Sequence, residues 1–216
     1  MNAIELSEFM RDLYKTNGIS KSARKVVCGI AINDSDYLTQ PVVGSARLLC
    51  PAYQSWSSMI KRCYAKPNGR LNPNYLDVSV CHEWLSFMSF RSWWILNYKE
   101  GMSLDKDLIG GGLVYSPERC VYVPSRLNNF LLDCKTARGR YKIGASYHAS
   151  SAKFAANCRN VETGKHDYLG LFGDPESAHK AWMRHKLIQA DRLRDEMNAI
   201  DARIYQNVIK IIKSAI

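Results

Sequence analysis

No stretch of the 216 residues approaches eighteen consecutive apolar positions, so no membrane-spanning helix is expected. The opening residues, MNAIELSEFMRDLYK, are acidic and amphipathic. They lack the basic-then-apolar order of a secretory signal. The seven cysteines form no CxxC pair and are odd in number, which argues against a disulfide framework and for a reducing cytoplasm. Internal repeats and low-complexity tracts are absent. Carboxylates are scarce: 20 Asp plus Glu stand against 30 Lys plus Arg, a formal net charge of +10. Hydrophobic residues at 46% and charged residues at 23% allow a core and argue against general disorder. The length suits one or two small domains.

The positive balance favours a polyanionic partner, with nucleic acid ahead of an acidic membrane surface and solubilising lysines as the plain alternative. The charge is unevenly placed. Lys135 to Lys165 holds seven cations (Lys135, Arg138, Arg140, Lys142, Lys153, Arg159, Lys165) and one acid, Glu162.

Apolar spacing predicts a helix over 4–16 (Ile4, Leu6, Phe9, Met10, Leu13), followed by a basic linker. Two or three weak strands are expected in 26–49. A helix from Pro51 would bury Tyr53, Trp56, Met59, Ile60 and Cys63. A strand and an aromatic-striped helix follow, with Val80, Trp84, Phe87 and Phe90 or Arg91 on one side. Within SLDKDLIGGGLVYSPERCVYVPSRLNNF (103–130), Met102–Leu108 and CVYVP read as hairpin strands. IGGG would be their turn, and a helix would be capped by Ser125. YKIGASYHA, KFAANCRNV and HDYLGLF read as three short strands. The helix after them would be capped by Asp174 or Gly173, with Pro175 in its first turn. Ile200, Ile204, Val208, Ile211 and Ile212 mark a last amphipathic helix, packed on the body or on a second copy of the chain.

The blocks AINDSDY, CPAYQSW, MIKRCY, VSVCHEWLSF, LDKDLIGGG, VYSPERCVYVP and LNN, in this order, resemble phage HNH endonucleases that carry an AP2-like DNA-binding domain. KFAANCRN and DYLGLFGDPESAHKAW are similar to the second strand, third strand and helix of AP2 domains. The resemblance runs from about Gly29 to Arg192. With the N-terminal helix and linker (1–25) and the helical tail (196–216) read from spacing, it implies an α+β chain with an HNH-like ββα-metal domain and a helical surround (26–134), then an AP2-like three-stranded antiparallel sheet plus helix (135–195). It further implies double-stranded DNA as partner, no membrane, and the cytoplasm of a host cell. Alternation along the strands puts Ser146 with His148, Asn157 with Arg159, and His166 with Tyr168, on faces suited to bases and phosphates. Arg138, Arg140, Lys142 and Lys153 join these as expected DNA contacts. Phe154 stands where AP2 domains usually have tryptophan, and Asn157 where they have glutamate.

An HNH site holds one divalent metal, which stabilises charge on the phosphate while a histidine activates water. By resemblance, Asp105, Lys106, Asp107 and Asn128 are the candidate catalytic residues, with Asp105 and Asn128 holding Mg²⁺ or Mn²⁺. Lys106 stands at the usual histidine position and Arg119 at that of a bracing asparagine. None of the five histidines lies inside the hairpin. Lys106 would act as a base only with a much lowered pKa, or else would hold the scissile phosphate. Metal-dependent nicking or cleavage is the expected activity. The alternative is a degenerate nuclease that binds DNA as a regulator or interference factor. His82 reads as structural. Cys50, Cys63, Cys81 and Cys120 could gather around a structural Zn²⁺, although buried free thiols are the favoured reading. A homodimer through the C-terminal helix is the alternative to packing that helix on the body.

Overall fold

The computed structural model of the chain describes residues 1–16, 26–110, 112–131 and 140–215, and is a mixed α+β structure. It divides into two compact units, Met1–Lys106 with Gly111–Tyr122, and Asp107–Gly110 with Val123–Ile216. The expected boundary at 134/135 lies outside the described residues, and the one at 25/26 lies at their edge. The N-terminal helix belongs to the first unit, and the C-terminal helix to the second.

In the first unit, α1 (Ala3–Leu13) begins with a capping box. The Asn2 side chain accepts from the Glu5 N–H, and Glu5 accepts from the Asn2 N–H, each at 2.9 Å. Its apolar stripe is only partly covered. Met10 is fully buried, whereas Phe9 and Leu13 are exposed. Helix α2 (Pro51–Tyr64) carries Pro51 at its first turn and buries Trp56, Met59, Ile60 and Cys63, as their spacing requires. Helix α3 (Phe87–Asn97) buries Phe87, Phe90, Arg91 and Trp94. Its start is fixed from afar: Asp34 accepts from the Ser86 hydroxyl at 2.6 Å and from the Met88 N–H at 2.9 Å. Trp56 donates to the Trp84 carbonyl at 2.7 Å, so this buried indole leaves no orphan donor. Buried Arg91 donates from one terminal nitrogen to Glu8 at 2.8 Å and to the Ser7 carbonyl, its Nε is left without a hydrogen-bond partner, and its guanidinium lies over the Tyr37 ring.

The strands of this unit are short. β1 (Val26–Val27) pairs with β2 (Ala31–Ile32), and β3 (Val42–Val43) with β4 (Ala46–Arg47), both antiparallel. β5 is Ser79–Val80. β6 (Met102–Asp105) and β8 (Val121–Pro124) do pair, but IGGG is not the turn between them. The connection runs through 106–120 and contains β7 (Val114–Tyr115), which pairs in parallel with β5. Ser125 is the first residue of the short helix α4 (Ser125–Asn128) rather than its cap. That place falls to Pro124, which offers no side-chain acceptor.

In the second unit, β9 (Ala145–His148), β10 (Lys153–Arg159) and β11 (His166–Phe172) form an antiparallel sheet with β10 central. Helix α5 (Pro175–Arg192) packs on one face of it. The Asp174 carboxylate caps α5 by accepting from the Ser177 N–H at 2.8 Å, and Pro175 is at its first turn. Small residues let helix and sheet approach: Ala145 and Ala156 meet Ala178, with Phe154, Leu169 and Phe172 around them. The expected long helix breaks at Leu193 and resumes as α6 (Arg194–Ile200). Asp201 then caps α7 (Ala202–Ser214). Ile204, Val208 and Ile212 are buried against the second unit's own helices. The stripe expected to serve either the body or a dimer is thus covered within one chain. Among the described residues, no helix is long and apolar enough to cross a membrane.

Candidate nucleic-acid interface and hairpin site

Residues directly opposite in an antiparallel pair share a face. The register pairs Lys153 with His148 and Ala155 with Ser146 on one side of β10. On the other side it pairs Ala155 with Leu171, Asn157 with Tyr168 and Arg159 with His166. All of these lie on the face away from α5, because the alternate set, Ala145, Phe154, Ala156 and Phe172, packs with α5. The structure therefore brings Ser146, His148, Lys153, Asn157, Arg159, His166 and Tyr168 onto one surface, as alternation along the strands led one to expect. A bulge makes this work. Ala156 opposes Gly170 while Asn157 opposes Tyr168, so Leu169 is the extra residue and turns toward the helix.

The three strands contain one carboxylate, Asp167, and it is turned inward. There it meets His185 Nε2 at 2.9 Å and accepts from Asn160 at 3.0 Å. The outer face thus holds Lys153 and Arg159 with no acid beside them, and among the described residues neither forms an ion pair. Tyr168 is 62% exposed at the centre of this polar set. Two other expected contacts are engaged elsewhere. Lys142 bridges Glu176 at 2.7 Å, and Arg140 donates to the Tyr141 hydroxyl while stacking on its ring. Glu176 is held below the usual carboxylate range by that Lys142 bond. Arg138 lies outside the described residues.

At the hairpin, Asp105 ends β6 and is buried, and Lys106 after it is 5% exposed. Both belong to the first unit. The Lys106 Nζ lies 5.7 Å from the centroid of the Tyr115 ring, and the Arg62 guanidinium lies 5.6 Å from the same centroid. Tyr115 is a site residue that sequence reasoning missed. Its place depends on the parallel pairing of β7 with β5, which no local pattern signals. Asp107 is exposed and Asn128 half-buried on α4; both belong to the second unit. The loop bearing Asp107 is held from α7. The Asn207 amide donates to the carbonyls of Asp107 at 2.9 Å and Leu108 at 3.1 Å. Gly110 lies against the same side chain. The only hint of Asn207 in the sequence was a polar residue beside the Ile204/Val208 stripe.

Asp105, Asp107 and Asn128 are of the oxygen-donor type that Mg²⁺ or Mn²⁺ prefers, but Asp105 belongs to the first unit and Asp107 and Asn128 to the second. Among the described residues, no group of three or more His, Cys, Asp or Glu side chains gathers as a metal site. Cys50, Cys63, Cys81 and Cys120 are accordingly free thiols that do not converge. Burial pushes Cys63 and Cys81 up to about 11 and Cys120 up to about 12, although the Lys106 charge pulls Cys63 and Cys120 partly back. As thiols they pack like small apolar residues. His82 is exposed at the head of a 3-10 turn.

No protein-family model, curated protein or solved structure matches the chain.

Proposed function

We propose that this protein binds double-stranded DNA through the outer face of the β9–β10–β11 sheet, in the manner of an AP2-like domain, and that the hairpin is an HNH-derived site for metal-dependent phosphodiester cleavage. The observation that carries the binding half is the segregation of charge on the sheet. The single carboxylate of three strands is turned inward and paired, while Lys153 and Arg159 stand outward without ion-pair partners among the described residues. Such a face offers cations to phosphate oxygens, an amide and imidazoles to base edges, and a tyrosine ring to sugar or a thymine methyl. In the cleavage half, Asp105 and Asn128 are each tested as a ligand of a divalent cation, which would supply charge stabilisation on the phosphate.

A second reading, DNA binding without cleavage, is supported by the burial of Lys106. An ammonium packed over the Tyr115 ring and 5% exposed is poorly presented to a substrate phosphate or an attacking water. The two readings separate in one experiment. Supercoiled and linear DNA are incubated with the protein, with and without Mg²⁺ or Mn²⁺. Cleavage by the wild type that is lost in Asp105→Ala and in Asn128→Ala, with binding retained, supports the enzyme. Cleavage at full rate in the double variant rejects the hairpin assignment. Absence of cleavage with intact binding supports the binder. For the interface, Lys153→Ala with Arg159→Ala should weaken duplex affinity at least tenfold at moderate salt; unchanged affinity would reject the sheet as the docking face.

A further inference from the structure

Between Asp36 and Asp77 the chain has no carboxylate, yet it carries five cations: Arg47, Lys61, Arg62, Lys66 and Arg70. Four of them fall within the ten residues 61–70, at the end of α2 and in the loop that follows. Arg62 is partly drawn in over Tyr115, and its buried Nε has no hydrogen-bond partner. Lys61, Lys66 and Arg70 are exposed, and among the described residues none of the three forms an ion pair. Cations at a helix C-terminus complement the helix dipole, which explains Lys61 and Arg62. The dipole falls off within the last turn, so it does not explain Lys66 or Arg70.

The loop has a built shape. Pro67 and Pro73 each open a short 3-10 turn. Asn68 and Gly69 are consecutive left-handed residues, with φ of 58° and 76°. The Asn72 side chain accepts from the Asn74 N–H at 3.0 Å. Two prolines and a side-chain-closed turn limit the entropy lost on engaging a partner. Asn68 and Asn74 are exposed within it and add neutral donors to the cations. A stiff loop with unpaired cations, amide donors and no acid has the composition of a phosphate-contacting element.

We infer that this loop of the first unit, centred on Lys61, Lys66 and Arg70, is a second contact to the phosphate backbone of duplex DNA, additional to the sheet face of the second unit. The inference rests on the DNA-binding reading, and its test separates the two. A fluorescent 30-base-pair duplex is titrated with the full chain across a range of salt concentrations. The comparison is between wild type, Lys61→Gln/Lys66→Gln/Arg70→Gln, and Lys61→Arg/Lys66→Arg/Arg70→Lys. Each phosphate neutralised contributes about −0.9 to the log–log salt slope. The glutamine variant should therefore flatten the slope by about 2 to 3 and lose affinity at low salt, while the charge-preserving variant keeps the wild-type slope. The three side chains are exposed, so the thermal midpoint should hold in both. A glutamine variant with the wild-type slope overturns the loop contact and leaves the sheet reading standing. Wild type that fails to bind the duplex at all overturns both.

Discussion

Lys186 shows how much one residue can weigh against its surroundings. It lies 6% exposed on α5, with its Nζ 3.7 Å from the centroid of the Phe130 ring. Burial brings its pKa down from the usual lysine range to about 8, an effect the nearby Cys158 partly opposes. An unfolded lysine keeps its proton to about 10.4, so between pH 8 and that value the unfolded state binds more protons and stability rises with pH. Below pH 8 the buried charge is a standing cost of up to about 3 kcal/mol, at 1.36 kcal/mol per unit. Lys186→Met should therefore raise the thermal midpoint at pH 7 and lose most of that advantage by pH 9.5. An advantage equal at both pH values would show that packing, not charge, is responsible. Gly144 marks the opposite case, a residue with no side chain to spare. Its φ is 85°, and a Cβ there would lie 2.2 Å from Trp182. Gly144→Ala combines a left-handed backbone with overpacking and should cost about 2–5 kcal/mol in denaturant unfolding. Neither property could be read in the sequence. A lysine among helix-forming residues and a glycine before a strand look ordinary until Phe130, 56 residues from Lys186, and Trp182, 38 residues from Gly144, are placed beside them.

Elements were more legible than residues, and the reason is the range of the interactions that define them. The three strands of the second unit and the Asp174-capped helix follow from alternation, Pro175 and a capping carboxylate, all local signals. The face shared by Arg159 and His166 followed as well, because the bulge at Leu169 comes after Tyr168 in β11 and leaves the 166/168 alternation intact. The hairpin turn was misplaced for the converse reason. IGGG satisfies every local rule for a tight turn, but the β5–β7 pairing draws the chain away between the two strands. Helix α3 offers a test of long-range capping. Asp34→Ala removes the acceptor for Ser86 and the Met88 N–H and should cost about 1–2 kcal/mol. Asp34→Asn, which keeps one acceptor oxygen, should recover part of that loss. Helix α7 offers a test of burial. Ile204 is fully buried within the second unit, so Ile204→Ala should cost about 2–5 kcal/mol. A loss that vanished on raising protein concentration would return the stripe to a dimer interface.

At the scale of the whole molecule, two acid-free sets of cations stand out among the described residues, Lys153 and Arg159 on the outer sheet face and Lys61, Arg62, Lys66 and Arg70 at the end of α2 and in the loop after it. Composition suggested the sign and Lys135–Lys165 the first location; the second was visible as a gap in carboxylates from 37 to 76. The boundaries between units were not legible, because the chain does not run through one unit and then the other. It leaves the first unit after Lys106, returns at Gly111 and leaves again after Tyr122. Two of the four residues of that excursion, Asp107 and Leu108, are hydrogen-bonded by Asn207 of α7, far along the chain. This interleaving has a bearing on inheritance. Genes that assemble by recombination exchange modules at single breakpoints, and no single breakpoint here separates one unit from the other. A crossover after Tyr122 would hand the incoming module a foreign Asp107–Gly110 segment, and with it a foreign partner for Asn207. The two units are in that sense one heritable piece.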